Sequence, residues 1–146
     1  MAENRNSSKV TGMVFVVTFF LLFAVNALVL FVANMFFPAM IVLGTMSLTL
    51  PWSIAHSMGA LALIGTLIIP FVRKYEINRE KMFNSAEWML AYFLINLAGV
   101  WLIARFPDQF GLGISSWLVA VALAVVLDFV SGMAMMRLEK YRSKLL

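Results

Sequence analysis

RKYEINREKMFNSAE, residues 73–87, is the only charged run between two long apolar halves of the chain. Each half has room for two membrane-spanning helices joined by a turn that carries little or no charge. The run is therefore read as the connector between two helical hairpins, and it sets the side of the membrane on which the rest lies. The expected division is a polar tail 1–9, a first transmembrane hairpin 10–72, the charged connector 73–87, a second hairpin 88–136 and a basic tail 137–146.

Composition leads to the same class. Of 146 residues, 63% are hydrophobic and 12% charged. A soluble domain is about one quarter charged and less than half apolar. A chain this short cannot hide such an excess in its own core, because small folds leave much of their surface exposed. Lipid must cover the remainder, so the fold class is all-α and polytopic, with four transmembrane helices. The apolar run after Lys9 continues past Phe37, which is longer than the ~7–15 residues of a signal-peptide core.

The first span, from Val10 to Phe37, is interrupted by Asn26 and Asn34 and ended by Pro38. The uncharged stretch AMIVLGTMSLTL (39–50) reads as an extended turn at the interface. Pro51 fits the first turn of the second helix, and Pro70 is expected to kink or loosen its end. Asn84 with Glu87 is a capping-box variant that starts the third helix. Within the connector, Glu76 is spaced to pair with Arg79. The fourth span is read from Ile114 to Met136, with Arg137 to Lys144 helical beyond the lipid. Trp52, Trp88, Trp101 and Trp117 all fall near span ends, as aromatic belts do.

Ten of the eleven Lys and Arg lie in the two tails and the connector, and Arg105 alone lies in the turn after the third span. That asymmetry places both termini in the cytoplasm. The net charge of +4 is accounted for by topology and by anionic lipid head groups at the cytoplasmic face, with no need for nucleic acid. A second copy of the chain or a larger membrane complex is the protein partner that this composition admits.

The hairpins also resemble each other. Phe37-Pro38 lies 69 residues before Phe106-Pro107, and Leu43-Gly44 and Ser47 match Leu112-Gly113 and Ser116 at that offset. Asn26 matches Asn96 after a slip of one residue. Leu and Phe matches arise cheaply in apolar chains, so the paired Pro and Gly carry the reading of a parallel internal repeat about an axis normal to the membrane. The segments VNALVLFVANMFFPAMIVLGT (25–45) and LINLAGVWLIARFPDQFGLGISSWL (94–118) resemble the small four-span membrane proteins of the phage holin family, superfamily IV type. That resemblance implies a bacterial cell-membrane location and the four-span architecture. The chain departs from the pattern where it has Pro38-Ala39 and Pro107-Asp108 in place of Pro-Gly, and in its more charged middle. The architecture is carried over, and the lytic activity that the family name implies is not.

Intramembrane polar groups are the remaining chemical signals. Counting at ~1.5 Å per residue from the basic residues, and for Asn96 from Trp88, Asn26 and His56 come roughly 25 Å deep, and Asn96 and Asp128 roughly 12–14 Å. Each pair could then bond across its own hairpin. Asp128 is either a proton or cation site, or a neutral acid that donates to the Asn96 side-chain oxygen, and the lack of an intramembrane basic partner favours the second. His56, among Ala55, Ser57 and Gly59, is read as a helix-contact residue. With no Cys and one His, no metal cluster is expected, and no cofactor. Met133, Met135 and Met136 are read as apolar filler. No catalytic triad, phosphate loop or acid pair marks an enzyme. The small multidrug transporters need an acid in the first span, which Val10 to Phe37 lacks. The expected function is structural or interaction type, with a holin-like pore former or small transporter subunit as the alternative.

Overall fold

The computed structural model describes residues 2–145. In chain order it consists of α1 (Ala2–Phe36), β1 (Ile41–Leu43), α2 (Leu50–Asn78), α3 (Ser85–Ala104), α4 (Pro107–Phe110), β2 (Leu112–Ile114) and α5 (Trp117–Leu145). Among the described residues four helices are long and apolar enough to cross a membrane: Gly12–Phe36 within α1, then α2, α3, and Trp117–Leu138 within α5. Their outward faces carry Phe20, Phe31, Leu67, Phe71, Leu94 and Phe129, all exposed. Helices that are apolar on every face need lipid around them. The chain is a multi-pass, all-α membrane protein.

α1 packs against α2 and α5, and α3 packs against the same two helices. The centre of this ring is filled by Leu30, Met58, Leu61, Val100 and Leu127, each almost fully buried. One end is closed by structure that the sequence does not announce. β1 and β2 pair antiparallel, with Ile41 opposite Ile114, Val42 opposite Gly113 and Leu43 opposite Leu112. Two further bonds extend the ladder, Gly44 N–H to Gly111 O at 2.9 Å and Ser115 N–H to Met40 O at 3.0 Å. Asn34 Nδ2 donates to Ile41 O at 2.7 Å and ties β1 to the end of α1. Ile41 and Leu112 point into the bundle and are buried. Irregular backbone near lipid needs all its polar groups paired, and the ladder supplies partners for both turns at once.

The opposite end holds the connector. α2 runs through Pro70 without interruption and stops at Asn78. The stop is a left-handed Glu80 (φ 53°), with Glu80 N–H bonded to Ile77 O and Lys81 N–H to Glu76 O. That is the double closure of a Schellman end. Glu76 does not pair with Arg79; its Oε1 accepts from Phe83 N–H at 2.8 Å, while Arg79 lies over the Tyr75 ring at 5.4 Å. Phe83 packs edge-on between Tyr75 and Trp88. The capping box forms as expected, with Glu87 N–H donating to Asn84 Oδ1 at 2.8 Å and Asn84 N–H donating to Glu87 Oε2 at 2.9 Å.

Two boundaries differ from expectation. Residues 2–9 are helical rather than a loose tail, because extending an existing helix costs far less than nucleating one, and nothing between Glu3 and Lys9 breaks it. Ile114 belongs to β2, so the fourth helix begins three residues later, at Trp117.

Candidate functional site

Polar side chains buried between the helices are the groups with chemical potential. Asn26 and Ser131 are both nearly inaccessible, and Ser131 Oγ donates to Asn26 Oδ1 at 3.0 Å. This bond joins the first span to the last. A side-chain bond of this kind contributes about 0.6–2 kcal/mol in a membrane.

The expected bond from Asn26 to His56 is not formed. The two are close to level, because a Cβ on Gly59 would touch the Phe23 ring at 3.7 Å and each residue lies three positions from that contact on antiparallel helices. His56 nevertheless faces outward and is exposed. Its Nδ1 lies 2.7 Å from Trp52 O, and its ring sits 5.9 Å from the Trp52 ring. The buried stripe of α2 runs through Ser53, Ser57, Met58, Leu61, Ala62, Gly65 and Thr66. His56 precedes Ser57 by one residue, about 100° of arc, which turns it off that stripe. Equal depth fixed nothing about azimuth.

The two-depth picture is corrected as well. Ser131 is three residues from Asp128, so its bond to Asn26 puts Asp128 within about 4.5 Å of the Asn26 level along the axis. The depth count failed because the basic residues at the helix ends do not lie in one plane. Seventeen residues separate Lys9 from Asn26, and only six separate Ser131 from Arg137. The polar end of α1 therefore projects well beyond that of α5.

Asp128 and Asn96 are both buried, at 9% and 6% exposure. The expected bond between them is absent, and among the described residues Asp128 has no hydrogen bond or ion pair, while Asn96 Nδ2 is a buried donor with no acceptor. The reason is depth. A Cβ on Gly99 would come 2.5 Å from Leu61 Cδ1, so Asn96, three residues back on the antiparallel α3, comes level with about Ile64, roughly 12 Å by helix rise from the His56 level near which Asp128 lies. Asn26 meets a hydroxyl at Ser131, and Asn96 Nδ2 meets no acceptor.

Three other buried hydroxyls, all on α2, bond to their own helix. Ser53 Oγ donates to Thr49 O at 2.9 Å, Ser57 Oγ to Ser53 O at 2.6 Å and Thr66 Oγ1 to Ala62 O at 2.8 Å. This back-bonding satisfies a hydroxyl without a partner helix. Among the described residues no three His, Asp or Glu side chains gather to hold a metal. Ser131 was missed from the sequence, although it lies three residues from Asp128 and so on the same face of α5.

Comparison with protein-family models, with characterised proteins and with solved structures found no match to this chain.

Proposed function

We propose that this chain is a non-enzymatic membrane protein of structural or interaction type, which works through helix contact with a second copy or a larger complex. The observation that carries this is where the buried polar groups direct their bonds. Ser131 bonds to Asn26 across two spans, and Ser53, Ser57 and Thr66 bond to their own backbone. The first bond holds two helices together, the others satisfy hydroxyls within their own helix, and together they leave few groups to handle a substrate. A second reading, a small transporter or holin-like pore, is favoured by buried groups that have no partner among the described residues, Asp128 and Asn96 Nδ2.

Both readings meet in one experiment, inducible expression in a bacterial host with a potential-sensitive dye. On the structural reading the membrane potential holds, and Asp128→Asn behaves as the parent does. Loss of potential on induction overturns it. If the parent dissipates the potential and a normally assembled Asp128→Asn variant does not, the carboxyl carries the ion.

The orientation proposed is the bacterial cell membrane with both termini cytoplasmic, supported by ten of eleven basic residues on one side. A periplasm-active reporter fused after Leu146 is expected to be silent and one inserted after Gly44 active; a periplasmic signal from the C-terminus sinks the orientation.

The chain is further read as a duplicated hairpin. The support is the ladder register. Leu43 pairs with Leu112, which is its own mate at the repeat spacing of 69 residues. A two-fold axis normal to the membrane would pass through that pair. It would also exchange the α1–α5 contact with the α3–α2 contact, and both contacts exist.

A further inference from the structure

Arg105 is the one basic residue outside the tails and the connector. It caps the C-terminal end of α3, at the end of the bundle closed by the β-ladder. Its guanidinium carbon sits 4.5 Å from the centroid of the Trp101 ring. Among the described residues no carboxylate pairs with it, although Asp108 follows three residues later. Beside it is a pocket of about 210 Å³ lined by Trp101, Ala104, Arg105, Ile114, Ser116 and Trp117.

The chemistry of that lining has one sign. Arg105 supplies a planar fork of donors suited to a phosphate. Across the pocket α5 begins at Trp117, and the first N–H groups of a helix lack intrahelical partners and favour an anion. Ser116 adds a hydroxyl immediately before that helix. Trp101, Trp117, Ala104 and Ile114 give apolar walls to a site that opens where lipid head groups lie. An aromatic anchor alone would need only the Arg105–Trp101 contact. The open pocket, the facing helix start and the second Trp lie beyond that need.

We propose that the pocket between the end of α3 and the start of α5 binds the phosphodiester of an anionic phospholipid, with Arg105 as its cation and Trp101 and Trp117 as its walls. A lipid held there bridges α3 and α5 at the end away from the basic clusters.

The test uses the full chain with Trp52→Phe and Trp88→Phe, which leaves Trp101 and Trp117 as reporters. It is reconstituted in phosphatidylcholine vesicles containing brominated phosphatidylglycerol or brominated phosphatidylcholine, and tryptophan quenching is followed. Half-maximal quenching is expected at a roughly tenfold lower mole fraction of phosphatidylglycerol, because both lipids carry the phosphodiester and only in phosphatidylcholine does a choline cation beside it oppose Arg105. Arg105→Gln is expected to abolish the preference and Arg105→Lys to keep part of it. Equal quenching by the two lipids in the parent, or an unchanged preference in Arg105→Gln, overturns the proposal. So does suppression of the phosphatidylglycerol preference by inorganic phosphate in the buffer at unchanged ionic strength, which would mark the site as one for the free anion.

Discussion

Gly111→Ala is expected to cost about 2–5 kcal/mol, measured as earlier unfolding in mixed micelles when the denaturing detergent fraction is raised. Two causes add. Gly111 has φ +71°, where an L-residue pays roughly 1–2 kcal/mol. Its missing Cβ also leaves no room, because an added methyl would overlap the Ser53 side chain and come 3.1 Å from Ser53 Cα. Ser53 is fully buried in the first turn of α2 and cannot retreat, so the turn must lift, with overpacking worth about 1–3 kcal/mol. Lifting it also breaks the Gly44 N–H bond to Gly111 O and withdraws Leu112 from the core. Gly113→Ala is the control from the same turn. Its φ is not positive, and a Cβ there would meet Val42 Cβ at an ordinary 3.8 Å. If the two variants unfold within about 0.5 kcal/mol of each other, the turn does not pack on α2 as described.

That turn also marks where the sequence stops being informative. The four spans are legible because lipid imposes a one-dimensional rule: enough consecutive apolar residues make a span. Pro51 and the Asn84–Glu87 box are legible because they act on adjacent backbone. The pairing of β1 with β2 is not, since it joins three-residue segments about seventy residues apart, and neither alternates polar with apolar in a way that marks a strand. Depth was legible only to the extent that the helix ends share a plane. The Asn26–Ser131 bond shows that they do not, and it moved Asp128 from a separate level to the neighbourhood of Asn26. Azimuth was hardly legible at all. An amphipathic helix in water shows its buried face by contrast, but these helices are apolar on both faces, so nothing in the residues around His56 told outward from inward. The candidate polar residues were found by type, and three of the four, Asn26, Asn96 and Asp128, are buried. The partners assigned to them were not, because those depend on rotation and tilt.

The α2–α3 seam is where rotation and tilt have the largest testable consequence. Gly99 lets Leu61 lie so close that an added methyl carbon would sit 2.5 Å from Leu61 Cδ1. Leu61 is 1% exposed and packs within the core cluster that includes Met58, Val100 and Ile103. Its end can swing only into occupied space, so Gly99→Ala is expected to cost about 1–3 kcal/mol. Leu61→Ala alone should cost about 2–5 kcal/mol through the cavity it leaves. The double variant decides the geometry. With Leu61 shortened, the methyl at position 99 enters the vacated space, so Gly99→Ala should change from destabilising to neutral or stabilising in that background. A coupling of about 0.5–3 kcal/mol is expected in the same micelle unfolding assay. Because Asn96 lies one turn from Gly99, opening this seam also exposes its unpaired Nδ2. The single Gly99→Ala variant should therefore speed hydrogen exchange in the middle of α3, and the double variant should restore it. Costs that add within about 0.5 kcal/mol would mean that Leu61 and Gly99 are not in contact, and the depth assigned to Asn96 from that contact would fall with it.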